Sequence, residues 1–305
     1  MIFTLPHALH DLWRYNRAWF TQVLFEGVAK TLQAFCSDPD YLGAVAGFTL
    51  ALHPWGRSLS LHPHLHVLIT DGGLNVEGQW QRPQRSVYLP MRAVMTLFRG
   101  KLLARIVEAV IEGTLELPPN LTAQQCRNLC NRLGREKWNV HLCQRYTHGD
   151  GVMTYLARYL RGGPLNNTQL VEADEDTVTF RYRSHPDAEA ESGMQTLSLS
   201  PTAFLARYLQ HAPLPHRPVV RHYGLYATRN ADLLDRARTV LGQLPVVDEP
   251  PTKTTAVAIY VARAGRATPA THCVHCGQAL VMRRPLPRQQ SPCPWAVLLR
   301  SSFLN

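Results

Sequence analysis

The run His62-Pro-His-Leu-His-Val-Leu-Ile-Thr70 constrains this chain more than any other segment. Histidines occupy every second position and the run then turns apolar at Val67. An extended strand accounts for this, because side chains two apart in a strand share a face. The imidazoles are therefore planted at the edge of a buried strand, where each polar ring needs a partner. Leu59 to Thr70 is predicted as a strand that stops at Asp71-Gly72-Gly73. Ala44 to Leu52 is predicted as the strand before it, with Pro54-Trp55-Gly56 as the turn between them. Strands this close in sequence form an antiparallel hairpin, which brings His53 toward the alternating set.

Three imidazoles around one ion make a divalent-metal site with positions left for a phosphate oxygen and water. His64 and His66 are read as two ligands and His53 as the third, with His62 competing for the third place. Asp71 is the nearest acid in sequence, so a two-metal carboxylate site is not expected. Nitrogen donors favour Mn2+ over Mg2+, although phosphate chemistry uses either, and zinc stays open.

The formal net charge of +10 points to a polyanionic partner, since cationic surface gains affinity by releasing counterions from phosphates. The basic residues are mostly arginine, whose planar fork suits phosphate. Nucleic acid is the expected partner. A membrane is not, because no stretch approaches the roughly 20 apolar residues of a span. The start Met-Ile-Phe-Thr-Leu-Pro also lacks a basic region followed by an apolar core, so a cytoplasmic location is expected. Seven cysteines, an odd count without a regular framework, argue against a disulfide scaffold.

Apolar periodicity predicts one long helix or a helix pair from Ala8 to Phe35, and helices over Leu89 to Glu112 and Thr122 to Arg135, with Thr122 as N-cap. A strand is predicted over Trp138 to Arg145. Gly149-Asp150-Gly151 is read as a break before a helix from Val152 to Arg161. Short strands follow at Leu170 to Glu172, Thr177 to Arg183 and Thr196 to Ser200. Ser200-Pro201 then opens a helix to His211. Val219 to Tyr226 reads as a strand and Asn230 to Leu244 as a helix.

The helix after the glycines carries Tyr155-Leu-Ala-Arg-Tyr159, and residues four apart on a helix share a face. Two phenols beside a metal-polarised phosphate fit a reaction that cuts and rejoins a DNA strand through a protein-DNA ester. Arg158 and Arg161 on the same helix, with Lys137 and Arg145 before it, are the candidate DNA-binding cations.

His64-Leu65-His66 resembles the His-hydrophobic-His signature of HUH single-strand endonucleases, and Tyr155-x-x-x-Tyr159 resembles their two-tyrosine branch. Leu52-His-Pro-Trp-Gly56, the run from His62 to Gly73, and Arg221-His-Tyr-Gly-Leu225 are similar to the rolling-circle transposases of the insertion-sequence-ninety-one type. The likeness runs from Phe3-Thr-Leu-Pro6 to about Arg229. It implies a central antiparallel sheet carrying the histidines and a helix presenting Tyr155 and Tyr159 as nucleophiles. It implies nicking of single-stranded DNA at element ends and transfer to a target, through 5′-phosphotyrosine esters. Relatives of this kind carry a cysteine-rich zinc module ahead of the Phe-Thr-Leu-Pro segment. The chain here starts at Met1-Ile-Phe3, and a copy lacking that module is the expectation. The rival readings are a replication initiator or relaxase of the same chemistry, an inactive DNA-binding remnant, and a hydrolytic zinc enzyme.

The expected fold class is α+β, an HUH endonuclease-like core with a central antiparallel sheet flanked by helices, plus a smaller β/α extension. The expected division is a helical lead-in over 1–40, the catalytic core over 41–165, the extension over 166–244, and a loosely ordered basic tail over 245–305. In that tail Cys273-Val-His-Cys276 looks like one knuckle of a structural zinc site, with His272, His275 and Cys293 available to complete it.

Overall fold

A computed structural model describes residues 1–83, 89–143, 146, 149–160, 163–183 and 193–243, with residues 153, 157–160 and 167 as backbone alone. Strand β1 is Ile2–Thr4. After a 3-10 turn at His7–Leu9 come helices α1 (His10–Tyr15) and α2 (Arg17–Ser37). The hairpin strands are β2 (Gly47–Trp55) and β3 (Leu61–Ile69). A two-residue pair follows, β4 (Gly73–Leu74) and β5 (Trp80–Gln81). Then come α3 (Met91–Ile111), α4 (Ala123–Leu133), β6 (Val140–His141) and α5 (Gly149–Leu160). The remainder is β7 (Leu170–Ala173), β8 (Val178–Arg183), β9 (Met194–Leu199), α6 (Pro201–Leu209), β10 (Val220–Gly224) and α7 (Ala231–Val240).

The fold is α+β, built on a five-stranded antiparallel sheet in the order β10-β2-β3-β1-β6. β2 and β3 form the expected hairpin, with Leu52 opposite Leu65, Leu50 opposite Val67 and His53 opposite His64. Directly opposed residues lie on one face of a sheet. One face of the hairpin is thus Phe48, Leu50, Leu52, Leu65 and Val67, joined by Phe3 opposite Leu65. These six belong to one buried cluster with Phe20, Leu24 and Phe25 of α2 and Phe98 and Leu102 of α3. Phe3 meets Phe98 edge to face, with ring centroids 5.1 Å apart. The other face carries His53, His64, His66, Thr4 and Ala51.

The turn differs from the expectation. Trp55 remains in β2 and pairs with Leu61 across a register shift, and the chain reverses over Gly56 to Ser60, where Gly56 N donates to Ser60 O at 2.7 Å. Pro54 has no N–H for the ladder, and a bulge is where a strand accommodates it. The strand runs three residues past its expected end at Leu52, and Trp55 is carried onto the histidine side.

The helix caps follow the sequence. Thr122 accepts from Gln125 N at 3.2 Å while Gln125 Oε1 accepts from Thr122 N at 2.8 Å, a reciprocal capping box. Ser200 Oγ accepts from Ala203 N with Pro201 in the first turn of α6. Two other expectations need correction. Of the strand expected over Trp138 to Arg145, the described residues form only β6. Helix α5 begins at Gly149, so the glycines expected to break the chain are its first turn, with Asp150 where the helix dipole favours an acid. A Cβ at position 151 would stand 2.5 Å from the Tyr146 ring, so any larger residue there would push that ring aside.

β7, β8 and β9 form a separate three-stranded sheet, and Phe180 of β8 packs on Phe204 of α6. β10 instead joins the outer edge of β2, with Val220 opposite Ala51 and Gly224 opposite Gly47. Gly224 ends this strand at φ 59°, where a Cβ would lie 1.8 Å from Ala46 O. No helix of the described residues is long and apolar enough to cross a membrane.

Candidate metal centre and tyrosine helix

Pairing of β2 with β3 sets His53 directly across from His64, and strand alternation puts His66 beside them. Their ligand nitrogens all lie within 4.8 Å of one another, and among the described residues this is the group of histidine, cysteine and acidic side chains that could hold a metal ion. His53 and His66 are buried, with 6% exposure each, so the polar face is an enclosed nest rather than a solvated surface. The ligand nitrogens of His62 do not join this group, although its ring centroid, 5.3 Å from that of His64, is as near as that of His53 at 5.6 Å; on its other side His62 meets His10, with centroids 6.4 Å apart.

The hydrogen bonds fix where the lone pairs are. His64 Nδ1 lies 2.7 Å from the carbonyl oxygen of His62, and a carbonyl only accepts, so Nδ1 carries the hydrogen. His64 Nε2 then carries its lone pair, and it meets His66 Nε2 at 3.1 Å. Two ligands at about 2.0–2.1 Å from an ion, subtending about 90–109°, stand about 2.8–3.4 Å apart. The His64–His66 spacing fits such a pair of ligands. His62 contributes its backbone, which orients a neighbouring ring.

Burial holds these rings neutral. It pushes the His64 pKa down to about 3, with His53 and His62 adding repulsion. It pushes His66 down to about 2, aided by His64 and His53. His62 is lowered as well, by burial and then by His7. Neutral imidazole is the form that ligates a metal.

Tyr155 of α5 reaches this face. Its Oη is 3.4 Å from His66 Nδ1, and the side chain is buried, packed also against Tyr146 at 5.9 Å between ring centroids. Tyr159 and Arg158 lie on the same helix, where the backbone alone is described. Lys137 is exposed between α4 and β6. Arg145, Arg161 and the tail residues His272, Cys273, His275, Cys276 and Cys293 lie outside the described residues.

Two contacts escaped the sequence reading. Trp55 stacks on His53 with centroids 4.4 Å apart and planes 16° apart, a consequence of its staying in the strand. Alternation from His53 to Trp55 was the available signal, masked by the proline between them. His222 of β10 meets Thr49 Oγ1 at 3.1 Å on the histidine side of the sheet. Its neighbour Arg221 faces the other way, donating to Gln22 Oε1 at 2.7 Å with its guanidinium 4.3 Å above the Phe25 ring. That arginine ties β10 to α2.

The model of the family described as "Y2_Tnp: Putative transposase" matches residues 47–232, which spans β2 to the start of α7 and includes all three histidines and both tyrosines. The chain belongs to this transposase family. It is 32% identical over 251 residues to "Putative transposase y4qJ" of Sinorhizobium fredii, covering 79% of this chain and 62% of that protein. It is 32% identical over 234 residues to "Transposase for insertion sequence element IS801" of Pseudomonas savastanoi pv. phaseolicola, covering 75% of this chain and 54% of that one. The chain therefore spans little more than half the length of these curated transposases.

Proposed function

We propose that this transposase-family chain nicks and transfers single-stranded DNA with Tyr155 and Tyr159 as nucleophiles, at a divalent metal held by His53, His64 and His66. The observation that carries the reading is a phenol oxygen 3.4 Å from His66, one of three converging imidazoles. These three imidazoles would hold Mn2+ or Mg2+, and such an ion would supply charge stabilisation at the phosphate oxygens.

The protein groups do the rest. If His66 held the ion through Nε2, its hydrogen would sit on Nδ1, which lies 3.4 Å from Tyr155 Oη. A donor there favours the phenolate, whose ordinary pKa near 10 otherwise leaves it a poor nucleophile at neutral pH. The phenolate oxygen attacks phosphorus, an ester bond forms from tyrosine to the 5′-phosphate, and the bond to the 3′-oxygen breaks. The phenol's proton is released to water, and the departing 3′-oxygen takes one from water to become a 3′-hydroxyl. The phosphotyrosine ester keeps the energy of the broken bond, so a second 3′-hydroxyl can displace the tyrosine without an external energy source. Tyr159, one turn along the same helix, serves the second strand. The basic side chains Lys137, Arg145, Arg158 and Arg161 hold the DNA backbone, and Cys273 and Cys276 would be two ligands of a structural zinc ion.

The test is incubation with end-labelled single-stranded DNA from the flanks of the gene in the presence of Mn2+, followed by a denaturing gel. A labelled species at the summed mass of protein and DNA is expected, absent with chelator and absent in the double variant Tyr155→Phe, Tyr159→Phe. Undiminished adduct in that variant excludes both nucleophiles.

A further inference from the structure

A third phenol, Tyr146, stands at the start of the tyrosine helix, and neither the metal site nor the two nucleophiles account for it. Tyr146 is 39% exposed, yet its ring packs against Tyr155, with centroids 5.9 Å apart. Tyr155 is only 8% exposed and puts its Oη 3.4 Å from His66 Nδ1. A single exposed aromatic is ordinary on a protein surface. An exposed ring packed on a buried candidate nucleophile is a different case, because whatever lies on that ring lies next to the reacting oxygen's own side chain.

Two supports brace the Tyr146 ring, and neither lies flat on it. The plane of Tyr155 is tilted 56° from that of Tyr146, too far for a parallel stack. At the other contact, a Cβ at position 151 would stand 2.5 Å from Tyr146 Cδ1 but 3.2 and 3.3 Å from the ring carbons on either side of it, Cε1 and Cγ. A point over the ring face would lie at more nearly equal distances from these three carbons, so Gly151 abuts the rim. The missing side chain at position 151 therefore makes room for the ring without covering a face. Trp55 offers a contrast, since one of its faces is already taken by His53, 4.4 Å away with planes 16° apart.

An aromatic surface held open beside a reacting centre is what an unpaired base stacks on, and a single strand carries unpaired bases. With the scissile phosphate at Tyr155 Oη, the base of an adjoining nucleotide is tethered to that phosphate through one sugar. The ring packed on Tyr155 lies within reach of that tether. Because the ring is already braced at its edge, a stacked base costs little further ordering of the protein. A base fixed there also limits how the phosphate can turn relative to the attacking phenol. Every base has a π-face, so the contact selects a base over no base without selecting among the four.

We infer that Tyr146 is a stacking platform for the base of a nucleotide adjoining the scissile phosphate. The inference rests on the single-strand reading above and adds a substrate-binding residue to it. The role belongs to the ring and not to the hydroxyl, which separates Tyr146 from Tyr155 and Tyr159. Phenylalanine keeps it, and leucine or alanine loses it.

The test is fluorescence polarisation of the full chain with labelled oligo(dA) and an abasic strand of equal length, which share their phosphates and differ in their bases. Tyr146→Leu, which keeps bulk against Tyr155, and Tyr146→Ala are each expected to weaken oligo(dA) binding about fivefold or more and to leave the abasic strand unchanged, while Tyr146→Phe binds both as the wild type does. Melting curves establish which variants are folded, and one folded aliphatic variant suffices. Equal weakening of both strands, which a mere brace for Tyr155 would give, overturns the platform alone. So does no weakening of either strand, or the unfolding of both aliphatic variants. Loss of the covalent adduct in Tyr146→Phe also overturns it, because phenylalanine stacks and only the phenol's chemistry is removed. Failure of the wild type to bind any strand overturns the single-strand reading and the platform with it.

Discussion

Consecutive residues of the β2–β3 hairpin live in opposite environments. Leu52, Leu65 and Val67 join Phe3 and Phe98 in the core, whereas His53, His64 and His66, one step along the same strands, gather imidazole nitrogens within 4.8 Å. Both faces are buried, but for different reasons. The leucine face is buried in one apolar cluster, its stability coming from apolar area removed from water. The histidine face is buried without being apolar, and its rings pair with one another, with a backbone carbonyl and with Tyr155. The first face builds the sheet; the second uses the rigidity that results to hold ligand atoms at a spacing suited to an ion.

Substitutions on alternate positions break this comparison in opposite ways. The largest effect is expected from His64→Ala, which removes a ring whose two nitrogens are both committed. Metal-dependent nicking should drop to background while circular dichroism and the melting curve stay close to wild type; retained nicking would remove His64 from the site. Leu65→Ala, one residue away, should do the reverse. It leaves a cavity beside Phe3 and should cost about 2–5 kcal/mol in urea unfolding, with nicking per folded molecule preserved. A loss below about 1 kcal/mol would show that the core face is not packed as described.

A smaller effect separates the faces by pH. The folded-state pKa values of about 4 for His10, about 3 for His64 and about 2 for His66 lie below the ordinary 6.5. Between those values and 6.5 the unfolded chain takes up protons that the folded chain refuses, so stability is level above about 6.5 and falls as the pH drops below it. Urea midpoints of the metal-free protein across that range should show the decline. His66→Leu should flatten it, whereas Leu65→Ala should lower the whole curve in parallel. A stability that does not change on acidification would mean that these rings are not buried in neutral form.

The hairpin and its histidines were legible in the sequence because alternation is a local signal that sets both the strand and its faces. The same holds for the Thr122 capping box and for Ser200-Pro201, where residue chemistry and spacing specify a helix start within a few positions. Other features depend on partners distant in the chain. Ile2–Thr4 is too short to show a period, and it becomes a strand because β3 and β6 flank it. Val220–Gly224 reads as a strand, but its place beside β2 is set by pairing across a sequence separation that no local pattern reports. The third imidazole was ambiguous for a related reason: His62 obeys the same alternation as His64 and His66, and only the cross-strand register places His53 opposite His64. Trp55 was read as turn because proline and glycine surround it, yet the bulge keeps it stacked on His53.

The measurement that tests the central claim most directly counts imidazole nitrogens around bound Mn2+ by pulsed electron paramagnetic resonance, in the wild type and in His53→Ala and His62→Ala. The account predicts three nitrogens in the wild type, two in His53→Ala and three in His62→Ala. Three in His53→Ala with two in His62→Ala would contradict it, and would move the metal centre from the cross-strand trio to the alternating run along β3.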